Sequence, residues 1–320
     1  MNIYIATKLF SFFDRRISYM MYEITENVIK ELKIDNYHIF LPFKESNKKV
    51  SMAGNVSKNI FDADINSLKN IDVLIGIVDG LSLDAGIGFE VGYCIAKRIP
   101  IILFSTDFIN SKIGNFQKFQ YDPICKDNVN IFKYEYINNN SLSYVDELDY
   151  NIKAFKEYVK SKIKATLKNC QNRNKFFSEF ENDVFIDFSG MKYEWNKKIV
   201  NNLENKLNEQ NYKCIQSDRY SSDFNAAKEL EKLISSKILV INYDENEPNF
   251  GSSILQGIAY YYNKIIIAYE THQVDYYVDG GQHMGVNLML EQSATKICRD
   301  YNELEKVVLE ELKKVVKEWK

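Results

Sequence analysis

Histidine is scarce in this chain and closely paired cysteine is absent. Only His38, His272 and His283 occur in 320 residues, and none has a second His, Cys or carboxylate at ligand spacing. No structural or catalytic metal is therefore expected. The five cysteines, Cys94, Cys125, Cys170, Cys214 and Cys298, are odd in number, widely spaced and never in a CxxC pair. They read as free thiols in a reducing compartment, not as a disulfide framework. No apolar run approaches the roughly 18 to 20 residues that span a bilayer. The opening MNIYIATKLF lacks a basic segment followed by a long apolar core. Neither a membrane span nor a secretory leader is expected, and the expected location is cytoplasmic. Basic charge is also in short supply: 41 Lys and Arg against 44 Asp and Glu leave a net charge of −3, with a pI near 5.8. That argues against a surface built to grip a nucleic-acid polymer, though not against a small nucleoside or nucleotide. The GxxxxGK(S/T) phosphate loop is missing too, and no cofactor is expected.

What is present is an ordinary globular mixture, 45% hydrophobic and 27% charged, long enough for two domains. Short apolar runs alternate with helical spacing, which reads as α/β. Strands are expected at Asn2–Ala6, Tyr37–Pro42, Val73–Val78 and Pro100–Ser105. Helices are expected at Asp14–Leu32, Asn59–Ser67, Gly86–Lys97 and Val145–Leu167. Buried parallel strands joined by helices imply a Rossmann-like or flavodoxin-like doubly wound sheet.

The polar stretch NCQNRNK, Asn169–Lys175, interrupts the pattern, and after it the same order begins again. IDVLIGIVDG from Ile71 matches SKILVINYDE from Ser236, and DAGIGFEVGYCIAKRIPIILF from Asp84 matches NFGSSILQGIAYYYNKIIIAY from Asn249, both at an offset of 165 residues. VFIDF at Val184 likewise echoes IYIAT at Ile3. A unit this long is a duplicated domain, not a solenoid repeat. Two domains are expected, at 1–170 and 176–320, packed in tandem as a pseudo-dimer.

The segment with most chemistry is Asp79–Tyr93, DGLSLDAGIGFEVGY, at the carboxyl end of an expected strand, where open α/β sheets bind ligands. Asp79, Asp84 and Glu90 fall there, and Asp64 lies upstream on an expected helix. Asp84 can be read as a helix cap. Glu90, between Phe89 and Val91, is either a solvated helix residue or a buried carboxylate, which is costly unless paired or used.

Four pieces, IYIATKLFS at Ile3, DADINSL at Asp62, IDVLIGIVDG at Ile71 and DAGIGFEVGY at Asp84, occur in order over roughly the first 105 residues. Together they resemble the nucleoside 2-deoxyribosyltransferases. The resemblance implies that Glu90 is a nucleophile that attacks the anomeric carbon of a deoxynucleoside, forming a covalent deoxyribosyl-enzyme that a second base then opens. It implies that Tyr4 hydrogen-bonds this nucleophile, and that Asp64 and Asp84 hold the base and supply its proton. It also places Phe10 near the base, core packing being the other reading of that residue. The partners implied are a nucleoside or nucleotide and a free nucleobase.

The second copy departs where it matters. Glu90 corresponds to Leu255, Asp84 to Asn249, Tyr4 to Phe185 and Asp64 to Glu229. It is expected to be catalytically dead. In the family, a neighbouring subunit supplies an Asn that opens an NLM-like segment near the sugar. Here VNLMLEQSATKI, with Asn287, Leu288 and Met289, matches it from the second copy, and GNFQKFQYDPI, with Asn115, is its counterpart in the first. Asn287 and Met289 are thus expected to complete the Glu90 site. Further association of such pseudo-dimers is left open. Two other functions stay open at this point: hydrolysis of nucleosides or their 5′-monophosphates, for which Thr7, Lys8, Ser11, Arg15 and Arg16 offer phosphate-binding groups, and nucleotide binding without catalysis.

Overall fold

Val73–Ile77 is buried at all five positions, as a parallel strand covered on both faces must be. It is the centre of the first of two sheets. The computed structural model describes residues 1–45, 56–79, 83–106, 129–168, 180–188, 194–218, 225–244, 250–271, 276–278, 282–284 and 286–318. The first copy runs β1 (Asn2–Ala6), α1 (Phe12–Glu31), β2 (His38–Phe40), α2 (Val56–Lys69), β3 (Val73–Ile77), α3 (Ala85–Lys97), β4 (Ile101–Ser105), β5 (Val129–Lys133) and α4 (Tyr144–Lys168). The second runs β6 (Asn182–Asp187), α5 (Glu194–Glu209), β7 (Cys214–Gln216), α6 (Ala226–Ile234), β8 (Ser236–Asn242), α7 (Phe250–Tyr261) and β9 (Ile265–Tyr269). A hairpin of β10 (Tyr276–Val278) and β11 (Gln282–Met284) follows, then α8 (Leu288–Ser293), β12 (Lys296–Cys298) and α9 (Tyr301–Glu318).

Both sheets are parallel and share one topology. The orders are β2-β1-β3-β4-β5 and β7-β6-β8-β9-β12, the flavodoxin-like order with its switch point between the first and third strands. The repeat extends to register: Tyr4 stands opposite Leu74 and Phe40, and Phe185 opposite Leu239 and Ile215. The expected strands and helices form, with no end shifted by more than three residues. β5 and β12, which close the two sheets, were not anticipated. The expected boundary at Asn169–Lys175 lies outside the described residues. Cys94, Cys214 and Cys298 are free thiols. Among the described residues no helix is long and apolar enough to cross a membrane.

Alternation along each strand sorts side chains between two faces. In the first sheet Ile3, Ile5, Val73, Ile75, Ile102 and Phe104 face α1 and α4. Tyr4, Ala6, Leu74 and Leu103 face the opposite way, into a core shared by both copies. Helices α3 and α7 form the middle of that core. Every residue from Ala85 to Ala96 and from Phe250 to Ala259 is buried, which suits helices apolar all round. Their crossing is reciprocal. A Cβ on Gly92 would stand 2.0 Å from the carbonyl oxygen of Ile254, and one on Gly257 would stand 2.0 Å from that of Phe89. Since Gly257 matches Gly92 and Ile254 matches Phe89 at the repeat offset, the two helices meet as related partners. Only glycine lets the backbones approach so closely.

Candidate active site

β1 ends at the switch point, and its alternation sends Tyr4 into the shared core. There the Tyr4 hydroxyl donates to Glu90 Oε1 at 2.6 Å, with both side chains buried. Phe40 stacks on the Tyr4 ring with centroids 5.2 Å apart. Glu90 comes from the second turn of α3, so it is a buried carboxyl and not a solvated one. Asp64 arrives from α2, whose buried face is Phe61, Asp64, Ile65 and Leu68. That spacing is an ordinary core-facing stripe, with a carboxyl in one of its places.

Burial dominates the electrostatics. It pushes the Glu90 carboxyl well above the usual carboxylate range; the Tyr4 hydrogen bond opposes this, while Asp64 and Asp84 add repulsion. Burial alone raises Asp64 to about 7, and its Oδ1 has no hydrogen-bond partner. The Tyr4 hydroxyl is raised by its own burial and then by Asp64 and Glu90. Neighbouring buried carboxyls do not all ionise together, so at neutral pH the group retains at least one proton.

Asp84 is the N-cap of α3, as one of its two readings held. Its Oδ1 accepts from the amides of Gly86 at 2.8 Å and Ile87 at 3.1 Å. The second copy reaches it here. Asn287 caps α8, its Oδ1 accepting from Met289 N at 3.0 Å, and its Nδ2 lies 3.5 Å from Asp84 Oδ1. Gly86 leaves room for this approach: a Cβ there would sit 3.0 Å from Asn287 Nδ2. Met289 is buried in the shared core. Phe10 stands apart, 69% exposed on the loop after β1 beside exposed Phe12 and Phe13, so the core reading of it does not hold. Phe40 and Gly86 were missed as site residues. The GIG inside DAGIGFE, with a small residue at a helix entrance, was the available signal for Gly86.

The corresponding place in the second copy carries apolar side chains where the first has the hydroxyl and the carboxyl. Phe185 and Leu255 are both 0% exposed. Glu229 is also buried, but it is fully engaged: it accepts from the Ser217 hydroxyl, and Asp218 N donates to its Oε2 at 3.2 Å. Asn249 and Asn115 lie outside the described residues.

Residues 3–141 match the nucleoside 2-deoxyribosyltransferase family. Comparison with curated proteins returns no match. Among solved structures, the chain is similar to a conserved protein from Enterococcus faecalis V583, with 26% identity over 51% of this chain and 97% of that one and a TM-score of 0.33. It is also similar to the 2-deoxyribosyltransferase of Bacillus psychrosaccharolyticus, with 24% identity over 36% and 81% of the two chains and a TM-score of 0.29.

Proposed function

We propose, from the match of residues 3–141 to the nucleoside 2-deoxyribosyltransferase family, that this chain exchanges the base of a 2′-deoxynucleoside through a covalent deoxyribosyl-Glu90 intermediate. The observation that carries the proposal is the buried Tyr4–Glu90 hydrogen bond beside a second buried carboxyl whose Oδ1 has no partner. A solvated or purely structural glutamate needs neither.

The chemistry follows from the proton count. At rest Asp64 and Glu90, both raised by burial, hold at least one proton between them. When a nucleoside binds, that proton passes to a ring nitrogen of the base, and the C1′–N bond breaks with its electrons leaving on the base. Glu90, now a carboxylate, forms the C1′–O bond. Tyr4 steadies the carboxylate oxygen that does not attack. Asp64, at about 7, is suited both to give and to take back this proton near neutral pH. In the second half-reaction an incoming base loses a proton to Asp64 as its nitrogen displaces Glu90 from C1′. Asp84 anchors the entrance of α3, and Asn287 brings an amide from the second copy to the same place. The second copy has no nucleophile, so one site per chain is proposed.

Two of the five groups that could meet a 5′-phosphate, Thr7 and Arg15, are engaged within the protein, which supports a nucleoside over its 5′-monophosphate. The Thr7 hydroxyl is buried against Ser18, and Arg15 donates to Leu9 O at 3.1 Å and lies over the Phe43 ring. Incubation with deoxyadenosine, deoxycytidine, thymidine and deoxynucleoside monophosphates, each with and without a second free base, tests the reading by chromatography. A new deoxynucleoside that forms only when the second base is present is the expected result. Free sugar or sugar phosphate as the sole product would replace transfer by hydrolysis.

A further inference from the structure

Two buried polar side chains of the second copy play no part in the site so far. Tyr243 follows β8 and Gln256 lies in α7, at 2% and 0% exposure. At the repeat offset the first copy has Val78 and Val91, both buried. Replacing two core valines by a phenol and an amide is destabilising unless the polar atoms find partners. They find them in α8. The Tyr243 hydroxyl donates to Gln256 Oε1 at 2.7 Å, with the Leu290 carbonyl oxygen at 3.2 Å. Gln256 Nε2 donates to that same carbonyl at 2.9 Å and to Ser293 Oγ at 2.8 Å.

Helix α8 has six residues, too few to be stable alone. It begins at Asn287, whose amide faces Asp84. Gln256 directly follows Leu255, the residue that stands where the first copy has its nucleophile. The helix that lost the chemistry has therefore gained an anchor for the loop that reaches across. We infer that Tyr243 and Gln256 are positioning residues for the first copy's site: they fix α8, and through it hold Asn287 at Asp84. This rests on the function proposed above.

The test is a double-mutant cycle on deoxynucleoside binding, measured by calorimetry in Glu90→Gln protein so that nothing turns over. Gln256→Val, which restores the first copy's residue, is expected to weaken binding roughly three- to tenfold, as is Asn287→Ala. The double variant should bind no worse than Asn287→Ala alone, because Gln256 acts through Asn287. Hydrogen exchange of the α8 amides should quicken at least tenfold in Gln256→Val, with α5 unchanged. Tyr243→Phe, which keeps the ring in place, gives the same pattern at smaller amplitude should Gln256→Val not fold. Additive losses in the cycle, or unaltered α8 exchange, would overturn the inference. If no deoxynucleoside binds even the parent protein, the proposed function fails, and α8 exchange alone decides whether the network holds the helix.

Discussion

The two copies share their scaffold and differ in their chemistry. Asp79, just after β3, accepts from the Thr106 amide and hydroxyl, both at 2.7 Å. Asp244, its counterpart, accepts from the Thr271 amide at 2.5 Å and hydroxyl at 2.9 Å. Lys97 donates to the carbonyls of Lys69 and Ile71, and Lys264 to the matching carbonyls of Ile234 and Ser236, although the two lysines are not at matching positions. Arg98 and Asn263, which do match, both take a left-handed conformation, with φ of 62° and 54°. Against this, Tyr4 and Glu90 have become Phe185 and Leu255. Residues that close the fold are kept twice, and residues that suit base exchange are kept once. Asp79 therefore belongs to the scaffold, despite lying in the segment richest in carboxylates.

The sharpest way to break this contrast is at Glu90, the proposed nucleophile. Glu90→Gln keeps the shape and a partner for Tyr4 but cannot form the ester, so turnover should fall by at least ~1,000-fold. Initial rates and a melting curve, taken together, check it. A 2-fluoro-arabinosyl nucleoside should label one site per chain, at Glu90, and mass spectrometry counts the label. Two labels per chain would show that the second copy is active.

Next comes the comparison of Asp64 with Glu229, two buried carboxyls that both stand at about 7. Asp64→Asn should lower turnover by ~100-fold or more and remove a loss of rate as pH rises through about 7. The stability effect has the opposite direction. A carboxyl raised from 3.8 to about 7 takes up a proton on folding, so its contribution is fully present below about 4 and lost as pH rises through about 7. At ~1.4 kcal/mol per unit, Asp64 destabilises the fold above pH 7 by at most ~4 kcal/mol. Asp64→Asn should therefore melt higher at pH 8 and flatten the pH dependence. Glu229→Gln should leave turnover near normal, since its oxygens are engaged by Ser217 and Asp218 within the second copy.

Much of this contrast was legible in the sequence, because a constant offset aligns two long apolar motifs and shows which residues were exchanged between them. Central strands were legible because VLIGI at Val73–Ile77 and IILF at the start of β4 are unbroken apolar runs. β5 and β12 were not. They are edge strands with one partner each, so Val129–Lys133 is only partly buried and Lys296–Cys298 has three residues. Neither carries a long apolar run. Among the site residues, Glu90 and Tyr4 came from a resemblance; spacing alone left Glu90 equally readable as a solvated helix residue. The Tyr243–Gln256 network was missed because a lone Gln in a helix carries no periodic signal. Its mark was the exchange of two valines between copies.

Gly92 and Gly257 sharpen the comparison from the side of the scaffold. If the two helices meet as related partners, Gly92→Ala and Gly257→Ala should cost the same. Each puts a methyl 2.0 Å from a backbone carbonyl oxygen, and overpacking of this kind costs about 3 kcal/mol. Thermal melts of the two variants should superimpose, although only Gly92 shares a helix with Glu90. A clear inequality would show that one copy yields more easily at the shared core.

The smallest effect belongs to the kept pair Asp79 and Asp244. Each side chain accepts from the amide and the hydroxyl of a threonine just after the adjacent strand, so truncation to Ala removes these bonds and leaves an amide that water can reach. The cost should be roughly 1 to 2 kcal/mol in either copy. If Asp79 is scaffold, as its twin implies, Asp79→Ala and Asp244→Ala should lower the melting temperature about equally, and neither should alter the relative use of different bases. Base preference measured with paired acceptors separates the two roles. A change confined to Asp79→Ala would mean that a residue kept in both copies has taken on substrate contact in one, and that the boundary between scaffold and chemistry runs between β3 and α3 and not at the helix entrance.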